Sequence, residues 1–313
     1  MRKHVLFLAF LVFANMGNQI HAQVEGDVKI SCENGDNGSY KFYCENRLYC
    51  SGVIEINFTR LENLKGVDDN PYKKDITGRG KRLLFTLLPI DPNQTTNFKY
   101  SYTYIRGCMK PNINPEFVYL LPIGTGKSTK ANQLELVHIG KNPEPKDYYA
   151  LSFKVNAGDT IYAARRGIVY LVKDTANLTG EGYTYSSKDN YIEIFHEDCS
   201  FGHYEVFDKS LVKEGQQVEA GDPMAIAGGE KYVSGAHVRF YVYYNFEQKY
   251  AIKNSDGTDV KNYWAYVPLV FYTQEEKAKM LTMNKEYTCE KPESIIIQEM
   301  SKRELKNWRK KKP

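Results

Sequence analysis

Gly158-Asp-Thr-Ile-Tyr-Ala-Ala-Arg-Arg-Gly-Ile-Val169 and Asn190-Tyr-Ile-Glu-Ile-Phe-His196 are the stretches that decide how this chain folds. In the second, Ile192 and Ile194 alternate with Tyr191, Glu193 and Phe195, the two-residue period of a half-buried strand. Val238-Arg-Phe-Tyr-Val-Tyr243 repeats that alternation. Val212-Lys-Glu-Gly-Gln-Gln-Val218 and Gly221-Asp-Pro-Met-Ala-Ile-Ala-Gly228 lie between them. Gly158, Gly167, Gly215, Gly221 and Gly228 recur at intervals that suit tight turns, where a positive φ is needed. Short antiparallel strands joined by turns are therefore expected from about residue 148 to residue 245.

The chain outside this region is also β-rich. Its 25 tyrosines and 15 phenylalanines favour strands. Asn97-Phe-Lys-Tyr-Ser-Tyr-Thr-Tyr104 places Phe98, Tyr100, Tyr102 and Tyr104 on one face, and Val53–Phe58 and Arg82–Leu88 are further strand candidates. A small β-sandwich is expected for residues 23–118. Residues 119–245 form a second β domain with its core at 148–245. Residues 246–313 form a C-terminal extension, with a short strand near Val267–Tyr272 and a helix from Ser294 to Lys310.

Arg2, Lys3 and His4, then the apolar run Val5–Phe13, then Ile20-His21-Ala22, have the order of an export signal cleaved after residue 22. The mature protein is expected to be periplasmic or extracellular, with no further membrane-spanning segment. Loss of Arg2 and Lys3 leaves 40 basic against 38 acidic residues. That balance, with no reader motif, argues against nucleic acid. Six cysteines (Cys32, Cys44, Cys50, Cys108, Cys199, Cys289) permit disulfides in an exported chain. The closeness of Cys32, Cys44 and Cys50 suggests a local bridge, although six cysteines allow fifteen pairings.

The five blocks resemble the catalytic domain of lysostaphin-type (LytM-like) zinc metallopeptidases, which cut peptide cross-links of bacterial cell wall. Gly158–Val169 is similar to that family's Gly-x-x-Val-x-Ala-x-x-x-Gly-x-Val, and Asn190–His196 to its Asn-x-Val-x-Ile-x-His. Tyr204 falls where the family has Tyr-x-His. Val212–Val218 and Gly221–Gly228 match two glycine-containing blocks. The resemblance covers about a third of the chain. It implies a mostly β protein with an antiparallel domain of the duplicated hybrid motif type around a groove.

In the family, zinc is held by His and Asp of His-x-x-x-Asp and by the second His of His-x-His. Counting from Gly158 puts the first pair on Tyr148 and Ser152. Ser234-Gly-Ala-His-Val-Arg-Phe240 puts the third on Arg239, and the His of Tyr-x-His becomes Val206. His237 remains. A guanidinium has no lone pair to give and repels a dication. Catalytic zinc needs three protein ligands and an open position. The resemblance therefore points to a degenerate member with no metal, no cofactor and no catalytic residue beyond the remnant His237. Its groove is expected to be lined by Tyr148, Ser152, His196, Tyr204, His237 and Arg239.

Two routes back to a metal are open in the sequence. His138 could supply one ligand across an insertion. His196, Asp198, Cys199, His203 and Asp208 cluster in sequence without a recognised spacing.

Gly124-Thr-Gly-Lys-Ser128 imitates a phosphate loop but has Leu121 where the first glycine belongs, so a surface turn is expected and no nucleotide. Asn37, Asn57, Asn93 and Asn177 open glycosylation sequons, which the bacterial origin implied by the resemblance would make incidental. The terminal run Lys302–Lys312 is dense in positive charge and reads as a solvated helix end. The leading expectation is an exported, non-catalytic protein that binds cell-wall peptide or regulates a cell-wall hydrolase. The alternatives are an active zinc metalloendopeptidase with a remodelled site, and a structural envelope spacer.

Overall fold

The computed structural model describes residues 10–12, 27–135, 144–176, 180–253 and 259–311. His138 and the sequon at Asn177 lie outside them, as does the expected export signal apart from the short strand Phe10–Val12. Strands dominate, and the chain divides into two units, residues 1–110 and 111–313.

The first unit is built from two four-stranded antiparallel sheets. Tyr40–Asn46 lies between Val28–Asn34 and Gly80–Pro89 in one sheet, and Gly52–Glu62 lies between Asn97–Arg106 and Tyr72–Ile76 in the other. Phe42 from the first sheet packs on Phe58, Phe98 and Tyr100 from the second, with ring centroids 5.7, 5.7 and 5.0 Å apart. This aromatic layer holds the sandwich together, because large rings bury much apolar surface at low cost in entropy. The alternation in Asn97–Tyr104 has this cause: Phe98, Tyr100 and Tyr102 are buried.

The expected local bridge does not form, since Cys32 and Cys44 carry free thiols. Cys32 pairs in register with Phe42, and Cys44 with Ile30. That diagonal offset separates Cα atoms by about 7–8 Å, beyond the usual reach of a disulfide.

The second unit has a sheet in which Leu151–Lys154, His237–Lys253, Ser200–Glu205, Tyr191–Phe195 and Gly167–Lys173 lie side by side in antiparallel order. Thr160–Tyr162, Pro223–Ala227 and Phe207–Ser210 form a separate three-stranded sheet. Leu151, Phe153, Ile192, Ile194, Tyr204, Val238, Phe240 and Val242 from the large sheet share a core with Ile161, Met224 and Ala225 from the small one. The alternate residues Ser152, Glu193, His203, Glu205, Arg239, Tyr241 and Tyr243 belong to the other face of the large sheet.

Residues beyond 245 complete this unit. Asp259–Tyr266 pairs with His237–Lys253, Val270–Tyr272 runs parallel to Val118–Leu120, and Glu286–Thr288 pairs with Ser128–Gln133. Gly124–Lys127 is a turn, closed by Lys127 N–H donating to the Gly124 carbonyl at 3.1 Å.

The expected single helix is two, Glu293–Ile296 and Lys302–Lys311. Ser301 restarts it: its Oγ accepts from the Glu304 amide at 3.3 Å, and Glu304 Oε2 accepts from the Ser301 amide at 2.8 Å. This reciprocal pair is a capping box.

Candidate functional site

Three neighbouring strands bring Ser152, Arg239 and Glu205 into register across the outer face of the large sheet. Arg239 is 5% exposed. One terminal nitrogen lies 3.4 Å from Asp189 Oδ2 and 3.6 Å from Glu205 Oε2. The other donates to the Thr184 carbonyl at 3.4 Å. The guanidinium carbon lies 4.9 Å from the Tyr232 ring centre and 5.7 Å from that of Tyr185. The Tyr232 hydroxyl donates to Asp189 Oδ2. Burial raises the Asp189 carboxyl above its ordinary value, while the Tyr232 hydrogen bond and Arg239 pull the other way. Arg239 Nε has no hydrogen-bond partner.

Two loops carry these partners and are tied to each other. Tyr183 N–H donates to the Lys231 carbonyl at 3.1 Å, and Val233 N–H donates to the Tyr183 carbonyl at 2.9 Å. Gly229 makes the turn possible, with φ of +96° and a position where a Cβ would lie 2.8 Å from Val206 Cγ1. At the loop tips Tyr185 is 44% and Val233 72% exposed.

His237 is buried, with Nδ1 2.7 Å from the Gly235 carbonyl and 3.3 Å from Ser234 Oγ. The carbonyl can only accept, so Nδ1 carries the proton. Its ring meets Tyr232 edge-on at 5.1 Å. Burial lowers its pKa, so it is neutral near pH 7. Tyr148 is half-buried and packs edge-on against Tyr266 at 4.9 Å. Burial raises its hydroxyl pKa, and the Arg239 charge opposes the rise.

Tyr148, Ser152, His237 and Arg239 therefore gather at one centre. His196 and Tyr204 do not. Tyr204 points into the core, fully buried, and its hydroxyl accepts from the Ala164 amide at 2.8 Å. It has the opposite strand parity to Glu205, which does reach Arg239. His196 follows the far end of its strand, where Phe195 pairs with Phe201, whereas Glu205 pairs with Tyr191 at the near end. Its Nδ1 lies 2.7 Å from the Arg166 carbonyl, and its buried Nε2 has no partner. Burial, reinforced by Arg165, drives its pKa far below the usual histidine range.

The residues around Arg239 that motif reasoning missed are Asp189, Glu205 and Tyr232. One signal could have found them: a buried arginine requires a counter-charge, and carboxylates flank two of the matched blocks.

Three of the residues suggested for a displaced metal site are committed elsewhere. Cys199 is disulfide-bonded, Asp198 receives Arg165 at 2.7 Å and Ser200 at 2.6 Å, and His203 Nδ1 lies 3.2 Å from Glu193. Among the described residues no three of His, Cys, Asp and Glu converge as a metal-binding group. The donor set around Arg239 does not fit zinc either: a dication there would meet a fixed guanidinium, and the two nearest carboxylates already face that cation.

The sequence model of peptidase family M23 matches residues 146–252. The second unit carries a domain of the M23 type. No curated protein matches the chain significantly. Among solved structures, a candidate peptidase M23 from Pseudomonas aeruginosa aligns at 15% identity, over 61% of this chain and 82% of that one, with a TM-score of 0.28. A zinc-containing peptidase from Vibrio cholerae aligns at 16% identity, over 65% and 52%, with a TM-score of 0.26. Helicobacter pylori Csd3 aligns at 13% identity, over 70% and 65%, with a TM-score of 0.29. The chain thus spans less than two thirds of the latter two. Among the described residues no helix is long and apolar enough to cross a membrane.

Proposed function

We infer that this M23-type domain is non-hydrolytic and regulates an exported cell-wall hydrolase. The supporting observation is Arg239, a fixed cation at a family ligand position, held between Asp189 and Glu205. Hydrolysis by this family's chemistry needs an activated water on a metal with an open position. A domain whose centre is occupied by its own ion pairs has its outer surface left for work. Export is part of this reading and rests on the N-terminal sequence. The test adds mature protein to purified peptidoglycan, alone and together with an exported wall amidase. The expected result is no cross-link cleavage by the protein alone and faster release by the amidase when it is present. Cleavage by the protein alone that stops with chelator overturns the reading.

A second reading, binding of a wall-peptide carboxylate, is favoured by one observation, the unpartnered Arg239 Nε. An N–H aimed without an acceptor can take a ligand oxygen. Calorimetry with a soluble stem peptide tests it. Binding that is lost in Arg239→Lys supports it, and no binding to wild type removes it.

A further inference from the structure

Between Gln298 and Pro313 the chain has two acidic residues, Glu299 and Glu304, among seven basic ones. Both acids turn inward. Glu299 accepts from Arg165 Nε at 3.1 and 3.0 Å and from Nη2 at 2.5 Å. Arg165 is 3% exposed, also donates to Asp198, and lies 3.9 Å over the Phe117 ring. Arg166 donates to the Glu299 carbonyl at 2.9 Å and to Glu304 Oε1 at 2.7 Å. The terminal helix Lys302–Lys311 is thereby fixed to its unit by a charged clasp.

Helix geometry then sorts the remaining side chains. At 3.6 residues per turn, Lys302, Arg303, Lys306, Arg309 and Lys310 fall within an arc of about 120°. Glu304, Leu305 and Trp308 share the opposite side. Exposure agrees: the five basic residues are exposed and the other three half-buried. Arg309 has exposed Glu293 at 3.8 Å. Among the described residues no carboxylate pairs with Lys302, Arg303, Lys306 or Lys310.

A solvated helix end does not account for this stripe. Cations suit the last turn of a helix, but Lys302 and Arg303 lie in the first, where the helix dipole opposes them. The outer face is cationic along its whole length because the clasp has removed both acids from it.

We propose that this stripe binds an acidic polysaccharide. A membrane-surface helix needs a free apolar face, and Leu305 and Trp308 are turned away from the stripe. Single-stranded nucleic acid needs aromatic platforms among the cations, and the stripe has none. Lys302, Lys306 and Lys310 rise about 6 Å from one to the next. A linear glycan carrying one acid per sugar can meet them in succession.

The experiment titrates the mature protein with polygalacturonate (carboxylate) and dextran sulfate (sulfate), and with poly(U) and phosphatidylglycerol vesicles. The quadruple variant Lys302→Gln, Arg303→Gln, Lys306→Gln, Lys310→Gln is compared with a matched set in the first unit, Lys29, Lys41, Lys65 and Lys74 to Gln. The expected result is salt-sensitive binding to at least one polysaccharide, weakened tenfold or more in the stripe variant. The matched set should stay within twofold, with both thermal midpoints unchanged. Preference between the two glycans identifies the acid. No glycan binding, equal losses in the two variants, or tighter binding to poly(U) or vesicles overturns the proposal.

Discussion

Arg239 faces two carboxylates at once, buried Asp189 and part-buried Glu205, so deleting it removes the counter-charge of both. Replacement of one partner in a buried ion pair costs about 3–5 kcal/mol. Arg239→Gln is expected to lose stability of that order in urea at pH 7.5. The loss should shrink as pH falls, because burial already holds the Asp189 carboxyl above its ordinary value and favours its neutral form once Arg239 is gone. Adding Asp189→Asn should recover part of it; an additive double variant contradicts the pairing.

His196 and His237 set a second pH effect. Both have pKa values below the ordinary 6.5 because of burial. The unfolded chain binds their protons as pH falls below about 6.5 while the folded chain resists. Stability should therefore decline from pH 7 to pH 5, and His196→Gln should flatten that decline. An unchanged slope in the variant would show that the ring is not the source.

At the scale of elements, the capping box at Ser301 is the local device that separates the terminal helix from the turn before it. Ser301→Ala is expected to cost about 1 kcal/mol of local helix stability, seen as faster amide exchange over residues 302–306. Exchange equal to wild type would mean that the Glu299 and Glu304 clasp alone holds the helix. Glu304 is held down to about 2 by its Arg166 hydrogen bond and by Ser301. Its charge, depressed relative to an ordinary glutamate, is lost only as pH falls through that value.

These elements also show what was legible in the sequence. Strand periodicity in Tyr191–Phe195 and Val238–Tyr243 reports burial directly, so the sheets were readable. Arg239 was readable because it sits at a fixed offset from His237. Asp189 and Glu205 were not, since their partner lies 50 and 34 positions away and only the folded sheet brings them together. Tyr204 was misplaced because a period of two does not say which parity faces inward. The helix break went unseen because Ser301 and Glu304 sit inside a run that otherwise reads as continuous helix.

At the scale of the whole molecule, the second unit gains strands from both sides of its matched segment. Val118–Leu120, Ser128–Gln133, Val270–Tyr272 and Glu286–Thr288 all lie outside residues 146–252. A fragment cut to the matched residues would lose Tyr119, Phe271 and Tyr287, all buried in the intact chain, and would uncover Phe153 and Phe240, against which Phe271 and Tyr119 pack. Such a fragment is expected to aggregate or to lose cooperative unfolding, whereas residues 111–313 should unfold in one transition. Scanning calorimetry of the two distinguishes them.

The ionic centre of that unit has one more consequence. Its positive charge is part of the polypeptide and arrives with translation. That charge needs no loading step, and no scavenger of trace elements can strip it. The domain should hold the same shape in metal-starved surroundings as in rich ones, a constancy that an ion-dependent relative lacks.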